Sequence, residues 1–490
     1  MSNIALAIDG YKVDHRSQYE PGTEKIVSNF TPRSSRVKGV NYLIVFGIQY
    51  LIRKYMIREW DEQFFKRPLE EVMAKYKRRI DNYLGPDAIT YDHIAALHKL
   101  GYLPLEIYAL PEGTKIPTRV PFMLIWNTLP EFFWLTNYFE TLISNIVWGM
   151  STSATTAHAF RTILNKWALK TTGSTDFVQW QGHDFSFRGL YGFEAAQMNG
   201  AAHLLSFTGT DTIPAIDFLE EWYHADCTKE LIGGSVAATE HSVMSLGQKN
   251  GERNTIKRLI TQTYPKGIVS IVSDTWDFWH ALTVTYPSLK AEIMAREGKV
   301  VVRPDSSKKT PVEVICGDPE AEEGSPERLG AIQILWDNFG GTVNAQGYKV
   351  LDPHIGLIYG DSITMEYADE ICRRLEAMGF ASTNVVLGIG SFTYQYVTRD
   401  TYGMAIKATF GVVNGESRNI YKQPKTDSGM KNSAKGLVAV YHDQEHGVTM
   451  KEEATWEEVR NCAFEPVFVD GRLLRNHTLS EIRERVAKAA

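Results

Sequence analysis

Arg303-Pro304-Asp305-Ser306 follows directly on the apolar run Lys299–Val302. A short β-rich run that ends in an arginine and an aspartate reads as a strand delivering charge at its C-terminal tip. The pattern recurs along the chain. Ile268–Val272 ends in Ser273-Asp274, Ile355–Tyr359 in Gly360-Asp361-Ser362, and Asn384–Leu387 in Gly388-Ile389-Gly390-Ser391. Guanidinium binds oxyanions in bidentate fashion. Glycine lets the backbone approach an anion closely, and a carboxylate suits sugar hydroxyls. Together these tips suggest one mouth lined for a phosphorylated, hydroxyl-rich ligand.

Three further groups carry possible chemistry. In His183-Asp184-Phe185-Ser186-Phe187-Arg188-Gly189, followed by Gly209-Thr210-Asp211-Thr212, Arg188 suits a phosphate and Phe185 a planar ring. A core phenylalanine and a surface arginine explain the same residues. Gly234–Ser242 sets small residues before Glu240-His241, which places an imidazole beside a carboxylate; a hydrogen-bonded structural histidine is the alternative. Arg399, Lys407 and Lys422 form a basic set. Lys407 points opposite to Met404, Ile406 and Phe410 on an alternating strand, so solvated charge is the competing reading. No Walker A sequence is present, and Gly388-Ile389-Gly390 lacks the third glycine of a dinucleotide fingerprint. Thr239-Glu240-His241 is not the HExxH of zinc hydrolases.

These tips need a scaffold that brings them to one end. Between about 150 and 400, β-branched runs alternate with helical stretches, which predicts βα units and a parallel sheet. An irregular parallel α/β barrel, TIM-like, is the expected architecture, with its site at the C-terminal ends of the strands. Leu329, Ile332, Trp336 and Phe339 fall on one helical face, as do Ala368, Ile371, Cys372, Leu375 and Met378; both faces read as core. Gly317–Gly330 reads as an exposed acidic loop. Upstream, the expected elements are a strand at Ile4–Ile8, a basic turn at Thr31–Gly39, a helix at Val40–Ile57 and a strand at Leu105–Leu110. The rest of 60–150 reads as mostly helical, with a buried helix pair in Pro121–Met150. After 400 the texture is antiparallel. Met404–Val413 alternates, Asp470-Gly471 marks a two-residue hairpin turn, and Thr478 with Glu481 forms a capping box. Two domains are expected: a discontinuous α+β or β-sandwich-like one from 1–150 with 400–490, and the barrel at 151–399.

The 490 residues are too many for one simple domain. Apolar content of 43% and charged content of 22% are those of an ordinary soluble globular protein. Its four cysteines stand singly, which points to a reducing, cytoplasmic setting and against structural zinc. The N-terminal residues lack the basic and apolar regions of a signal peptide. Asn127, Glu131, Asn137, Glu140 and Asn145 interrupt the aromatic stretch Pro121–Met150, so it is not a membrane span. A net charge of −6 disfavours nucleic acid, and a polyanionic ligand must meet a local Arg/Lys cluster.

The ordered set of motifs resembles nicotinamide phosphoribosyltransferases, type II phosphoribosyltransferases, nearly end to end. Its landmarks are Asp9-Gly10-Tyr11-Lys12-Val13 with His15, then His183-Asp184-Phe185 with Arg188-Gly189, then Gly209-Thr210-Asp211-Thr212. Ser235-Val236 with Glu240-His241-Ser242, Val272-Ser273-Asp274 and Arg303-Pro304-Asp305-Ser306 follow. Gly360-Asp361, Gly388-x-Gly390 and Thr398-Arg399-Asp400 complete the series.

The resemblance implies transfer of phosphoribose from phosphoribosyl pyrophosphate to nicotinamide in NAD salvage, by a magnesium-dependent homodimer with shared sites. It implies catalytic roles for His241, Glu240, Arg303 and Asp305, with ATP phosphorylating His241. Phe185 and the other subunit's Tyr11 would cover the two faces of the nicotinamide ring, Asp211 would accept from the carboxamide, and Asp9 would lie nearby. Arg188, His241, Ser270, Arg303, Asp305, Gly360, Asp361, Gly390, Ser391, Arg399, Lys407 and Lys422 would serve phosphate and ribose. Asp274 and Asp305 would support magnesium and its water shell.

Three positions depart from the family pattern. Ser391-Phe392 stands where glycines are expected, Ala405 where a serine is expected, and Ser35 where a second basic residue would follow Arg33, with Arg36 adjacent. A nicotinate phosphoribosyltransferase and a catalytically silent protein of the same fold are the alternatives. Asp211 and Tyr11 argue against the first; His241, Arg303, Asp305 and Asp361 argue against the second.

Overall fold

The structure, a computed structural model, describes residues 3–306, 308–360, 362–422, 434–443 and 447–489. The chain forms two compact units. One comprises residues 1–155, 219–225 and 397–489, and the other 156–218 and 226–396.

The second unit is built on a parallel sheet. Its strands run Gly209–Thr210, Gly182–Asp184, Val385–Ile389, Ile355–Tyr359, Val300–Arg303, Val269–Val272 and Ala237–Ala238 across the sheet. Every pairing among them is parallel. Outer strand Gly209–Thr210 meets the chain just ahead of the other outer strand, Ala237–Ala238, through an isolated parallel bridge between Gly209 and Gly234. There the Thr210 amide donates to Gly234 O at 3.0 Å and the Gly234 amide to Thr208 O at 2.8 Å. The sheet therefore curls into an irregular α/β barrel joined by one narrow seam. Val269, Ile271, Val300, Val302, Ile355, Leu357, Val385 and Leu387 are buried. Their continuous β-branched runs suit strands covered on both faces. Helices Ala331–Phe339 and Met365–Ala377 contribute Ile332, Leu335, Ile371 and Leu375 to the same core.

The first unit is α+β. Its principal sheet is antiparallel, in the order Glu416–Asn419, Met404–Val413, Thr23–Pro32, Met123–Asn127, Leu105–Ala109, Glu465–Val469 and Arg472–Leu473. The last two strands form the expected hairpin: Asp470 (φ 45°) and Gly471 (φ 80°) are both left-handed, as a type I′ turn requires. Thr478 and Glu481 make the expected capping box.

Several expectations fail for identifiable reasons. Ile4–Leu6 is a 3-10 turn, not a strand; the Asn3 side chain caps it by accepting from the Ala5 amide at 3.1 Å. Val40–Ile57 is not one helix. Tyr42–Ile44 is a strand, Gly47 breaks the chain at φ 103°, and the helix begins at Ile48. Part of the basic turn belongs to strand Thr23–Pro32. Pro121–Met150 holds the buried strand Met123–Asn127 before helix Leu135–Thr172, because a continuous apolar run has no period to separate strand from helix. Leu329 precedes helix Ala331–Phe339 and is 43% exposed, so it is not core. Among the described residues no helix is long and apolar enough to cross a membrane.

Candidate active site

Because the strands of the barrel are parallel, their C-terminal tips share one end, where such barrels carry their sites. Asp184, Thr210, Thr239, Asp274, Arg303, Gly360 and Gly390 sit at or just beyond those tips.

Asp184 is fully buried and acts as an internal latch. Its Oδ1 accepts from the Ser186 amide and hydroxyl at 2.9 and 2.6 Å. Its Oδ2 accepts from the Thr210 and Thr212 hydroxyls at 3.2 and 2.7 Å. This fixes the loop after strand Gly182–Asp184 and, with it, Phe185. The Phe185 ring lies 4.6 Å from that of His183, inclined at 41°.

Asp211 faces the same corner. Its Oδ1 is 2.8 Å from His183 Nε2 and accepts from Ser235 Oγ at 2.9 Å. Burial pushes its pKa up, but the bonds from His183 and Ser235 and the charges of His183 and Arg303 outweigh that, holding the carboxyl below its ordinary value. Both of these contacts fall on the one oxygen. Behind this corner, buried His203 has Nε2 at 3.0 Å from Gly209 O and Nδ1 at 2.7 Å from Tyr394 Oη. A carbonyl only accepts, so Nε2 carries the proton and Tyr394 donates to Nδ1. Burial holds this imidazole's pKa down, at about 4, so it stays neutral.

The next strands bring the charges. Arg303 is buried, and its guanidinium donates to Thr239 O. Its Nε is 4.0 Å from Asp305 Oδ1 and, among the described residues, has no hydrogen-bond partner. Asp274 organises the following loop: its Oδ2 accepts from the Asp305 amide at 2.8 Å, the Ser306 amide at 2.6 Å and the Ser306 hydroxyl at 2.8 Å. Among the described residues its buried Oδ1 has no hydrogen-bond partner, and it lies 3.7 Å from His241 Nε2. Burial raises the pKa of Asp305; Arg303 opposes this, the Asp274 charge adds to it, and His241 and Arg188 oppose it. Arg188, exposed on the turn Phe187–Gly189, thus shares a field with Asp305.

His241 opens helix His241–Leu246, with Glu240 at its N-cap. Its Nδ1 is 3.0 Å from Thr275 Oγ1, and the side chain is 48% exposed. Glu240 accepts from the Ser242 hydroxyl. Ser270 is 4% exposed inside strand Val269–Val272, and among the described residues its Oγ has no hydrogen-bond partner. At two glycines an added Cβ would displace a neighbouring side chain. A Cβ on Gly360 would lie 2.4 Å from Asp305 Oδ1, and one on Gly189 2.0 Å from Ser391 Oγ. Gly390 faces open space and caps the helix Ser391–Gln395.

One end of the barrel therefore collects Phe185, Arg188, Asp211, Glu240, His241, Asp274, Arg303, Asp305, Gly360, Gly390 and Ser391. Asp361 lies outside the described residues. Asp9, Tyr11, Arg399 and Lys407 belong to the other unit, where they line a cavity of about 280 Å³ with Arg33, Glu140 and Trp148. Lys422 follows strand Glu416–Asn419 in that unit. Sequence reasoning assigns no role to His183 and Ser235, although both stand in quoted motifs. Pairing with Asp211 across 28 and 24 residues leaves no local signal. Among the described residues no group of three or more His, Cys, Asp or Glu side chains converges as a metal site.

The nicotinate phosphoribosyltransferase (NAPRTase) family pattern matches residues 180–458, and the nicotinamide phosphoribosyltransferase N-terminal domain matches residues 3–107. The chain is 50% identical over 497 residues to a nicotinamide phosphoribosyltransferase of Acinetobacter baylyi, covering 99% of this chain and 97% of the relative. It is 32% identical over 453 residues to one of Mycoplasma pneumoniae, covering 86% and 92%. In fold it is similar to a nicotinate-nucleotide pyrophosphorylase from Pyrococcus furiosus, with TM-score 0.57, 14% identity and coverage of 100% and 97%. It is also similar to human nicotinic acid phosphoribosyltransferase, with TM-score 0.51, 14% identity and coverage of 98% and 93%. With an end-to-end relative at half identity and both family patterns matched, the chain belongs to the nicotinamide phosphoribosyltransferase family.

Proposed function

We propose that the protein transfers the phosphoribosyl group of phosphoribosyl pyrophosphate to nicotinamide, giving nicotinamide mononucleotide and pyrophosphate. The observation that carries this reading is one sheet end that joins a ring-and-carboxylate corner, Phe185 with Asp211, to the cluster Arg303–Asp305–His241. Phe185 covers one face of the pyridine, and Tyr11 of a second copy covers the other in a homodimer. The free oxygen of Asp211 accepts from the carboxamide N–H₂. A carboxylate there selects neutral amide over anionic acid, since two like charges repel by about 1–4 kcal/mol depending on local dielectric.

Departure of pyrophosphate leaves oxocarbenium character on the ribose and negative charge on the leaving group. Arg303 and Arg188 stabilise the leaving group; preorganised charge of this kind is commonly the largest catalytic contribution. Gly390, Ser391, Arg399, Lys407 and Lys422 supply further anion contacts. Asp305 holds ribose hydroxyls or metal-bound water, with Gly360 keeping room for its carboxylate. Magnesium fits beside Asp274 and Asp305. Among the described residues one buried Asp274 oxygen lacks a partner, and this ion takes one or two carboxylates while keeping waters and substrate phosphates. Bound there, it would neutralise pyrophosphate charge. The exposed imidazole of His241 attacks the terminal phosphoryl group of ATP, releasing ADP. The phosphorylated ring beside the pyrophosphate site then couples ATP to product formation.

Turnover of nicotinamide and phosphoribosyl pyrophosphate, assayed with and without ATP, tests this reading. Mononucleotide formation that ATP stimulates is expected. Absence of any transfer from nicotinamide overturns it.

A further inference from the structure

We propose that the ion pair between Lys12 and Glu140 is a positioning element for the base: it fixes the face that Tyr11 presents, and so sets affinity for nicotinamide. This rests on the role given to Tyr11 above.

Tyr11 is 66% exposed on the turn Gly10–Lys12, yet the residues around it are tied down. Thr141 Oγ1 donates to Asp9 Oδ2 at 2.8 Å and accepts from the Asp9 amide at 3.3 Å. Lys12 pairs with Glu140. His15 Nδ1 is 2.7 Å from Asn137 Oδ1. Asn137, Glu140 and Thr141 are spaced i, i+3 and i+4 on helix Leu135–Thr172, so one helix face holds all three tethers. The Tyr11 ring meets His15 edge-on at 5.3 Å, and Lys12 Nζ stands 5.4 Å from its centroid. An exposed aromatic with fixed flanks loses little freedom on binding, which is how preorganisation raises affinity.

The pair itself is buried, with Lys12 at 5% exposure and the Glu140 side chain at 18%. Burial, and then the charge of Glu140, push the phenol of Tyr19 up to about 12. A buried ion pair is a poor way to gain stability: apolar replacements of equal volume are often neutral or stabilising. What it supplies is direction. The ammonium has one place to go, beside the carboxylate and near the ring. Glu140, Lys12 and Tyr11 line the same 280 Å³ cavity, so the pair lies within reach of a ligand there.

The test compares full-length wild type, the apolar double variant Lys12→Met with Glu140→Leu, and Tyr11→Ala, in steady-state kinetics and thermal melting. The double variant is expected to melt close to wild type and to raise KM for nicotinamide roughly tenfold, given the sensitivity of rates to small misplacement. Its kcat and its KM for phosphoribosyl pyrophosphate stay within about twofold. Tyr11→Ala raises the same KM, and combining it with the double variant adds nothing further. A double variant that melts like wild type and keeps its nicotinamide KM, while Tyr11→Ala raises it, overturns the positioning role and leaves the reading of Tyr11 intact. An unchanged KM in Tyr11→Ala overturns both. If the double variant does not fold, Glu140→Gln carries the test: the nicotinamide KM rises alone, and no rise overturns the proposal.

Discussion

Gly388 and the ring of Phe185 compete for one space. A Cβ on Gly388 would lie 2.6 Å from Phe185 Cδ2 and 2.8 Å from the Gly360 Cα. The ring proposed to stack on the base is thus seated on bare backbone from the neighbouring strand. Gly388→Ala must displace it, and overpacking of this kind costs about 1–3 kcal/mol. The expected outcome is a lower melting temperature and a nicotinamide KM raised roughly tenfold or more, with less effect on phosphoribosyl pyrophosphate. Calorimetry and initial rates check it.

Asp211 shares one oxygen with His183 and Ser235, so Asp211→Asn keeps the side-chain volume and removes the charge. Preference for nicotinamide over nicotinic acid should fall by about tenfold, the effect of roughly 1.4 kcal/mol. Direct competition between the two bases measures it; an unchanged ratio removes Asp211 as the selector.

His241→Ala should abolish ATP hydrolysis and its stimulation of transfer while basal transfer survives. The variant assayed for ADP release and for mononucleotide in parallel decides this. Continued hydrolysis would move the phosphoryl acceptor to another residue.

Burial raises the pKa of Asp305. A carboxyl raised in the folded state favours folding below its ordinary pKa, and that contribution is lost as pH rises through the raised value. Binding of ribose hydroxyls or metal-bound water needs the anion, so activity moves the other way, rising through the same window. The acid limb of kcat/KM should therefore lie above the ordinary carboxylate pKa of about 4. Asp305→Asn should lower the plateau and remove that limb, which a pH–rate profile reads directly.

Tyr11 lines a cavity in the first unit and is proposed to act in a partner's site. Mixing Tyr11→Ala with an inactive variant of Arg303 places one intact site in each heterodimer, so activity at low nicotinamide should recover in part. Failure to recover, with heterodimers shown by mass, counts against shared sites.

Four barrel strands, Val269–Val272, Val300–Arg303, Ile355–Tyr359 and Val385–Ile389, were legible because each is a β-rich run cut off by polar residues; Gly182–Asp184, Gly209–Thr210 and Ala237–Ala238 are too short and too poor in β-branched residues to be read. Ile355–Tyr359 has the same ends in sequence and structure. Met123–Asn127 was not, since five consecutive buried residues carry no alternation. Thr23–Pro32 was hidden by buried Ser28 and Asn29; Asn29 Nδ2 reaches Thr409 Oγ1 at 3.1 Å, a bond spanning 380 residues. In the sequence Asn137 and Glu140 argue only against a membrane span, whereas in the fold they hold His15 and Lys12. Charge at strand tips is readable from order alone; partnership between distant side chains is not.

The seam between Gly209 and Gly234 has a further consequence for the enzyme's working cycle. Asp211 and Ser235 stand just beyond it on opposite sides, and their hydrogen bond crosses it. A joint of so few bonds is where a barrel breathes first. A base held by Asp211, as proposed above, would add a contact beside this joint, so nicotinamide is expected to slow amide hydrogen exchange at Thr210 and Gly234.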